Sequence, residues 1–507
     1  MEKLQRAGNF GDNQMKLIAE AVRKWKGKLA IESNLREKLR ERSHQLADNF
    51  SFIEWPMDSA VKSERDQSMK ANRVIVYCND TEELIETLKK KRGYSPRTQF
   101  FIKLGIDGGG SSLKVTMNII KIEDEFASPP NRSRGLYVEG LRPAMFKESG
   151  VKRIQIIAFV EHVSESAMNL TNLMALINLR EMMMISNSHF KFALDYKVQN
   201  EFFGIGKCSS TCPCVLCDMQ SKFFAKDSQF KGGNLRTIGE VKVLANQYQV
   251  NAECSDSTKK LSSAKWKSCE RFPIPDLPDD TFIIDVAPPP PLHIKLGIIN
   301  GLFDTLNSIL KELKHPMEAS KWSDALGFSR SAHHGGQFKG NYCDKLMNNL
   351  DLLESMLKAI GAHKDCLPVI EAFKMFRKAY KACFQKHLEP TYKRDLQDFG
   401  NAYLELITYC RQIKAKCSEE SVKVHAASVH VRQFLERQQA KGFEFGLGYW
   451  SEEASEACHD DWDSLWVDKN YKRDLTNANY ATNAHEAIIK YNSGHVGGPP
   501  PTKEKQP

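Results

Sequence analysis

Two sets of residues in this sequence have the types and spacing to do chemistry. Cys214-Val-Leu-Cys217 leaves a two-residue gap between its thiols, which lets both thiolates reach one zinc ion and supplies half of a tetrahedral site. His425 and His430, in Val-His-Ala-Ala-Ser-Val-His-Val, stand near one helical turn apart and could supply the other half. Cys208 and Cys212 fall in the same short stretch, so a local four-cysteine site is an alternative. So are reduced, unliganded thiols beside surface histidines. The second set is carboxylates. A strand-end acid with glycines behind it can bring its oxygens to a ligand without crowding by neighbours, and Asp107, before Gly108-Gly109-Gly110, is so placed. Asp195 and Asp285 are further candidates at the ends of apolar runs, and after Trp450 come Glu452, Glu453 and Glu456, then His459, Asp460 and Asp463. Glu452 and Glu456 are one helical turn apart, and Glu453 and Glu456 are near neighbours on that face. Two strand-end aspartates and one helical glutamate meeting at one point would hold two Mg²⁺ for phosphoryl transfer. The plainer alternative is a solvated acidic helix face.

The elements that must position these groups come from the apolar pattern. Phe100–Asp107 and Ser112–Ile120 read as two strands joined by a glycine turn, with further strands at Ile154–Val160 and His189–Asp195. Residues 43–98 read as helical, broken at Trp55-Pro56 and closed at Gly93-Tyr94-Ser95-Pro96. Past residue 205 the β pattern gives way to the cysteine cluster, the Pro288–Pro291 run and long helical stretches. From Val424 to about Asn492 the chain reads as helical again, and the Gly/Pro-rich end as disordered. The division that follows is 1–45 basic helical, 46–98 helical connector, 99–204 a first core segment, 205–430 a helical insertion, 431–492 a helical C-terminal region and 493–507 a tail.

At 507 residues with 41% hydrophobic content the chain has ample core for about three domains. No apolar run approaches the ~18 residues a spanning helix needs, so no membrane partner is expected. The first residues lack a signal-peptide pattern, and thirteen cysteines without secretory context point to reduced thiols in cytosol or nucleus. Residues 1–42 hold eleven Lys/Arg against six acids, much of the net charge of +9. Leu17, Ile18, Val22, Trp25 and Leu29 recur at helical spacing there, so basic amphipathic helices are predicted, suited to phosphate backbones or self-association. A solvated basic face is the competing reading. Lys89–Arg92 and Arg97 form a second basic cluster that could contact phosphate or cap a helix.

Taken together these residues resemble the Transib transposases and the related catalytic subunit of the RAG-type V(D)J recombinase. Thr211–Asp218 looks like that family's zinc cysteine pair, and the nineteen residues from Asp195 to Cys214 agree with its interval between second aspartate and first zinc cysteine. Pro291-Leu292-His293 with Gly297 and Asn300, then Gly340–Met347, are similar to family segments in the same order. His425 and His430 match its zinc histidines, and aligning the tryptophan of Gly448–Glu456 puts the catalytic glutamate at Glu456. The resemblance covers about residues 100–490. It implies an α/β fold with an RNase H-like catalytic core of the DDE class, split by a large, mostly helical zinc-binding insertion. It further implies Asp107, Asp195 and Glu456 as ligands of two Mg²⁺, with Mn²⁺ able to substitute. One structural Zn²⁺ would be held by Cys214, Cys217, His425 and His430. The expected activity is cut-and-paste transposition: nicking at terminal inverted repeats, hairpin formation on flanking DNA, and joining of the excised ends to target DNA. A homodimer acting on double-stranded DNA in the nucleus is expected, with the basic N-terminal helices binding DNA and pairing protomers.

The loop His333–Lys339 departs from the family, so no DNA-contact role is carried over to it. Asp285 and Glu453 stay local rivals to the assigned carboxylates. Gly105–Ser112 also looks like the phosphate-binding hairpin of actin-like sugar-kinase ATPases, though a second Asp-x-Gly hairpin and a later adenosine loop are missing. A domesticated, non-catalytic DNA-binding protein of the same fold is the other alternative.

Overall fold

A computed structural model describes residues 41, 43–62, 68–108, 112–122, 149–252, 264–330, 337–467, 471–472 and 474–496. The basic stretch 1–40, Gly109 and Gly110 of the turn, most of the His333–Lys339 loop and the end of the tail lie outside these residues. The fold is mixed α/β. Along the chain come β1 (Phe50–Lys62), β2 (Ser68–Cys78), α1 (Thr81–Arg92), β3 (Phe100–Asp107), β4 (Ser112–Lys121), β5 (Gln155–Glu161), α2 (Ala167–Leu176) and β6 (Ser188–Leu194). The helices that follow include α3 (Tyr196–Phe202), α4 (Pro291–Glu312), α5 (Leu367–Ala379) and α6 (Tyr392–Ile413). Next come α7 (Val422–His425), a π turn over Ala426–His430, α8 (Val431–Ala440), α9 (Glu453–Trp466) and α10 (Tyr480–His495). The described residues fall into two compact units, one running to Leu194 and resuming at Glu453, the other spanning Asp195–Glu452. These bounds are wider than the 205–430 segment read from composition, because the change of unit follows the end of β6 and the start of α9.

The first unit is built on a six-stranded sheet in the order β1-β2-β5-β4-β3-β6. All neighbours are antiparallel except β3 and β6, which run parallel with Ile106 opposite Leu194. β3 is buried from Phe100 to Ile106 and β4 from Ser112 to Ile120, the continuous burial of strands covered on both faces. Where Ser188–Leu194 forms the fourth predicted strand, Asp195 falls just outside it and caps α3.

The helical connector predicted over 46–98 is corrected. Its first half is a long hairpin, with Phe50 opposite Cys78 and Pro56 opposite Asn72, and only Thr81–Arg92 is helical. Val74-Ile75-Val76-Tyr77 is a β-branched run that favours a strand. Pro56 is tolerated because β1 is an edge strand, so what looked like a helix break is an edge proline. α1 is capped by Asp80, which accepts from the Glu83 amide, and ends at Gly93 with φ 74°, the left-handed conformation glycine favours. Its last turn carries the second basic cluster. Arg92 there is buried against the carbonyls of Ile119, Arg153 and Val496 and the Asn118 amide oxygen, a packing role.

The C-terminal region read as helical from Val424 is interrupted between Ala440 and Glu453, where a 3₁₀ turn, Leu447–Tyr449, is the one helical piece, and Ser493–His495, assigned to the tail, belong to α10. Among the described residues no helix is long and apolar enough to cross a membrane.

Candidate functional site

In the unit spanning Asp195–Glu452, Cys214, Cys217, His425 and His430 are all buried, with one donor atom from each within 4.8 Å of the others. The Cys217 Sγ stands 3.3 Å from both His425 Nε2 and His430 Nε2, and the two Nε2 atoms are 3.0 Å apart. Zinc bonds of ~2.0–2.3 Å give tetrahedral edges of roughly 3.3–3.8 Å, so the donor set has the size and chemistry of a closed, four-ligand site. Such a cluster could hold a metal ion such as zinc.

Local structure explains why these four meet. The histidines are five residues apart, which in an α-helix would splay them by about 140° around the axis. The π turn Ala426–His430, with its i→i+5 bonds, brings them onto one side instead. His425 stacks on Phe224 with ring centroids 4.0 Å apart, and His430 Nδ1 meets Gln433 Oε1 at 2.7 Å. Both contacts leave Nε2 facing the thiols, and outer partners of this kind set ring orientation and ligand basicity. Burial lowers the His425 pKa, so the ring is held neutral, the ligating form. Gly232, at φ 70°, passes over the pair, and a Cβ there would press Val429 at 2.8 Å with the two imidazole Cε1 atoms just beyond.

The cysteine turn is held by Arg236, a fully buried residue that sequence reading missed. Its guanidinium donates to the carbonyls of Cys214, Cys217, Cys212 and Lys267. Burial alone would raise the Cys214 pKa, but hydrogen bonds from Cys217 and the Leu216 and Cys217 amides, with the Arg236 charge, bring it below the ordinary thiol value. Both histidines are buried rather than on the surface, and neither the exposed Cys208 nor the buried Cys212 belongs to the group. All described cysteines are free thiols.

The carboxylates divide between the units. In the sheet unit, Asp107 ends β3 and is partly exposed, with Lys114 opposite it on β4. α9 packs on that face. Ser455 Oγ lies 2.9 Å from Thr116 Oγ1, and a Cβ on Gly105 would fall 2.0 Å from Ser455 Oγ, so the glycine is what lets the helix settle onto β3. His459, one turn beyond Ser455, hydrogen-bonds through Nε2 to Asp107 Oδ2 and through Nδ1 to Lys114 Nζ. Lys114 is buried and also donates to Ser112 Oγ at 2.8 Å; its pKa is lowered by burial, against the opposing pull of nearby Cys458, Asp463, Asp107 and Glu161. Glu456 and Glu453 both lie in the first turn of α9, Glu453 exposed and Glu456 partly buried. Glu452 lies immediately before the first residue of the helix. A Cβ on Gly108 would lie 2.3 Å from Glu165 Oε1, which places one more acid beside the β3 end.

In the other unit, Asp195 follows Leu194 directly and spends Oδ1 on the Val198 amide at 2.6 Å, capping α3. Its Oδ2 lies 3.9 Å from His293 Nε2. The opposite ring nitrogen and the backbone amide of His293 both meet Glu452 Oε1 at 3.1 Å, so the buried Glu452 fixes the His293 tautomer. Asp285 is not a strand-end acid. Phe282-Ile283-Ile284 leads into a short helix, Ile283–Val286, because a short apolar run fits a buried helix as well as a strand. Its carboxylate is taken by Arg437 and Lys441.

Lys114 and His293 were legible only in part, and Arg236 not at all. A lysine between Leu113 and Val115 in an apolar strand was the signal for the first, and His293 stood in a quoted segment without a role. No protein-family model matches the chain, and no curated protein matches it.

Proposed function

We propose that this protein is a DDE-type DNA transposase with an RNase H-like core. On this reading the unit spanning Asp195–Glu452 is a helical insertion in that core, stabilised by one Zn²⁺. The observation that carries the reading is the parallel pairing of β3 and β6. Ile106 lies opposite Leu194, and the residue following each is an aspartate, Asp107 and Asp195. α9, which packs on β3, carries Glu456 one position after Ser455. Acids at the carboxyl ends of adjacent parallel strands stand where open α/β sheets bind ligands.

Asp107, Asp195 and Glu456 offer an all-oxygen donor set, which suits a hard divalent cation. Bound there, two Mg²⁺, or Mn²⁺ in their place, would activate the attacking oxygen and neutralise the leaving one. The chain's own part is to hold these carboxylates in place: Asp195 by its cap to α3, Asp107 by its strand and by His459, Glu456 by the docking of α9. Terminal inverted repeats, flanking DNA and target DNA are the substrates in this reading, acted on by a homodimer in the nucleus, with nicking, hairpin formation and strand joining as the steps.

The test is incubation of the full chain with a repeat-containing duplex and Mg²⁺, followed by a denaturing gel. Nicked and hairpin products from the wild type, absent with Asp107→Asn, are expected. Equal products from both would reject the role of Asp107. A DNA-binding protein without activity would shift the duplex in a gel and leave it uncut.

A further inference from the structure

The face of the sheet that bears Asp107 carries an ordered row of polar groups. Directly opposed residues of an antiparallel pair point to the same face. Gly105 with Thr116 and Asp107 with Lys114 are two successive such pairs. α9 reads both, since Ser455 meets Gly105 and Thr116 while His459, four residues on and on the same helix face, meets Asp107 and Lys114.

We propose that His459 is a positioning residue for Asp107, and that Lys114 selects the tautomer in which it acts. The inference rests on the reading of Asp107 as a divalent-cation ligand. A lysine ammonium can only donate, so His459 Nδ1 must accept from Lys114, which leaves the proton on Nε2 to be donated to Asp107 Oδ2. Lys114 is itself held by burial and by Ser112, so it cannot swing away without leaving a desolvated charge. The relay runs from a buried anchor, through one ring, to one oxygen of the carboxylate. Asp107 is the last residue of its strand, and Gly108 follows it. Fixing one oxygen presets the direction of the other, as the outer partners of metal ligands do. The same helix carries Glu456 three residues before His459, so the docking that fixes Asp107 also sets the height of the glutamate along β3.

Mn²⁺ titration of the full-length chain, read by loss of the free-ion EPR signal, tests this without any DNA reaction. The wild type should bind, and Asp107→Asn should lose the site. His459→Ala should weaken Mn²⁺ binding by ~10–100-fold, the usual effect of removing an outer partner. His459→Gln, whose amide keeps one donor and one acceptor, should stay within ~3-fold of the wild type. Lys114→Met should shift binding in the same direction as His459→Ala. Thermal melts run alongside separate a folding defect, because a purely structural role would lower stability in His459→Ala and His459→Gln without the split in affinity. Binding by His459→Ala as tight as the wild type or tighter, or a glutamine variant no better than the alanine, overturns the proposal and leaves the Asp107 reading standing. Wild type and Asp107→Asn titrating alike would instead bring down that reading, and the proposal with it.

Discussion

The cysteine–histidine cluster and the carboxylate end of β3 are two polar assemblies solved in opposite ways. At the first, every donor is buried, each histidine has a second contact that fixes its ring, and the four donor atoms lie within a single metal's reach. At the second, Asp107 and Glu456 keep partial exposure, and Asp107 is hydrogen-bonded by His459, which in turn meets Lys114. A closed set of four ligands is the design of a structural metal, whose binding energy goes into folding. A partly open carboxylate set leaves room for a substrate oxygen. The difference teaches that metal-ligand chemistry alone does not assign a role; burial and the supporting contacts do.

The sharpest way to break the comparison is to change one acid and one thiol and ask whether the effects trade places. On the transposase reading, Asp107→Asn should lower nicking by at least ~10³-fold, because several kcal/mol of charge stabilisation would pass through that carboxylate, yet the melting temperature should barely move. Next in size, Cys214→Ser should do the reverse. It should abolish stoichiometric zinc, measured by elemental analysis, and cost more than ~3 kcal/mol of stability in chemical denaturation. Full zinc content and an unshifted melt in that variant would remove the structural role from the cluster.

A smaller effect sharpens the contrast further. Gly105→Ala inserts a methyl 2.0 Å from Ser455 Oγ and 2.8 Å from Ser455 Cβ, so rotation of the hydroxyl cannot relieve it and α9 must shift. Overpacking of this kind costs about 1–3 kcal/mol. The sheet unit should lose stability and Mn²⁺ affinity together, while zinc content stays at the wild-type value.

What the sequence made legible follows from how local each signal is. Cys214 and Cys217 announce themselves by a two-residue gap, and β3 and β4 by apolar runs around a glycine turn. The β1–β2 hairpin was hidden because its long strands interleave Glu54, Asp58, Lys70 and Arg73 with apolar residues and include Pro56. The π turn that unites the histidines has no sequence mark, since Ala426–Val429 would suit an ordinary helix equally well. Least legible was the His459 relay, whose two contacts join residues 345 and 352 positions apart. No window of local pattern reaches that far.

The smallest predicted effect separates a structural carboxylate from a ligand. Asp285 was a rival for the second aspartate, but Arg437 grips both of its oxygens, at 2.9 and 2.5 Å, and Lys441 adds a contact at 3.1 Å. Burial alone would raise its pKa; Arg437 and Lys441 overcome that and hold the carboxyl below the ordinary carboxylate value. With the folded value depressed, the stabilisation is complete above the unfolded value near pH ~4 and is lost as pH falls through the folded one. Asp285→Asn should therefore cost about 1 kcal/mol at neutral pH, the scale of a partly exposed ion pair, and the gap to wild type should close as denaturation curves are taken to pH ~3. A gap that persists in acid would mean that packing, not charge, is what the asparagine disturbs. Nicking by this variant should match the wild type, whereas a loss as deep as that of Asp107→Asn would return Asp285 to the set of metal ligands and displace Asp195.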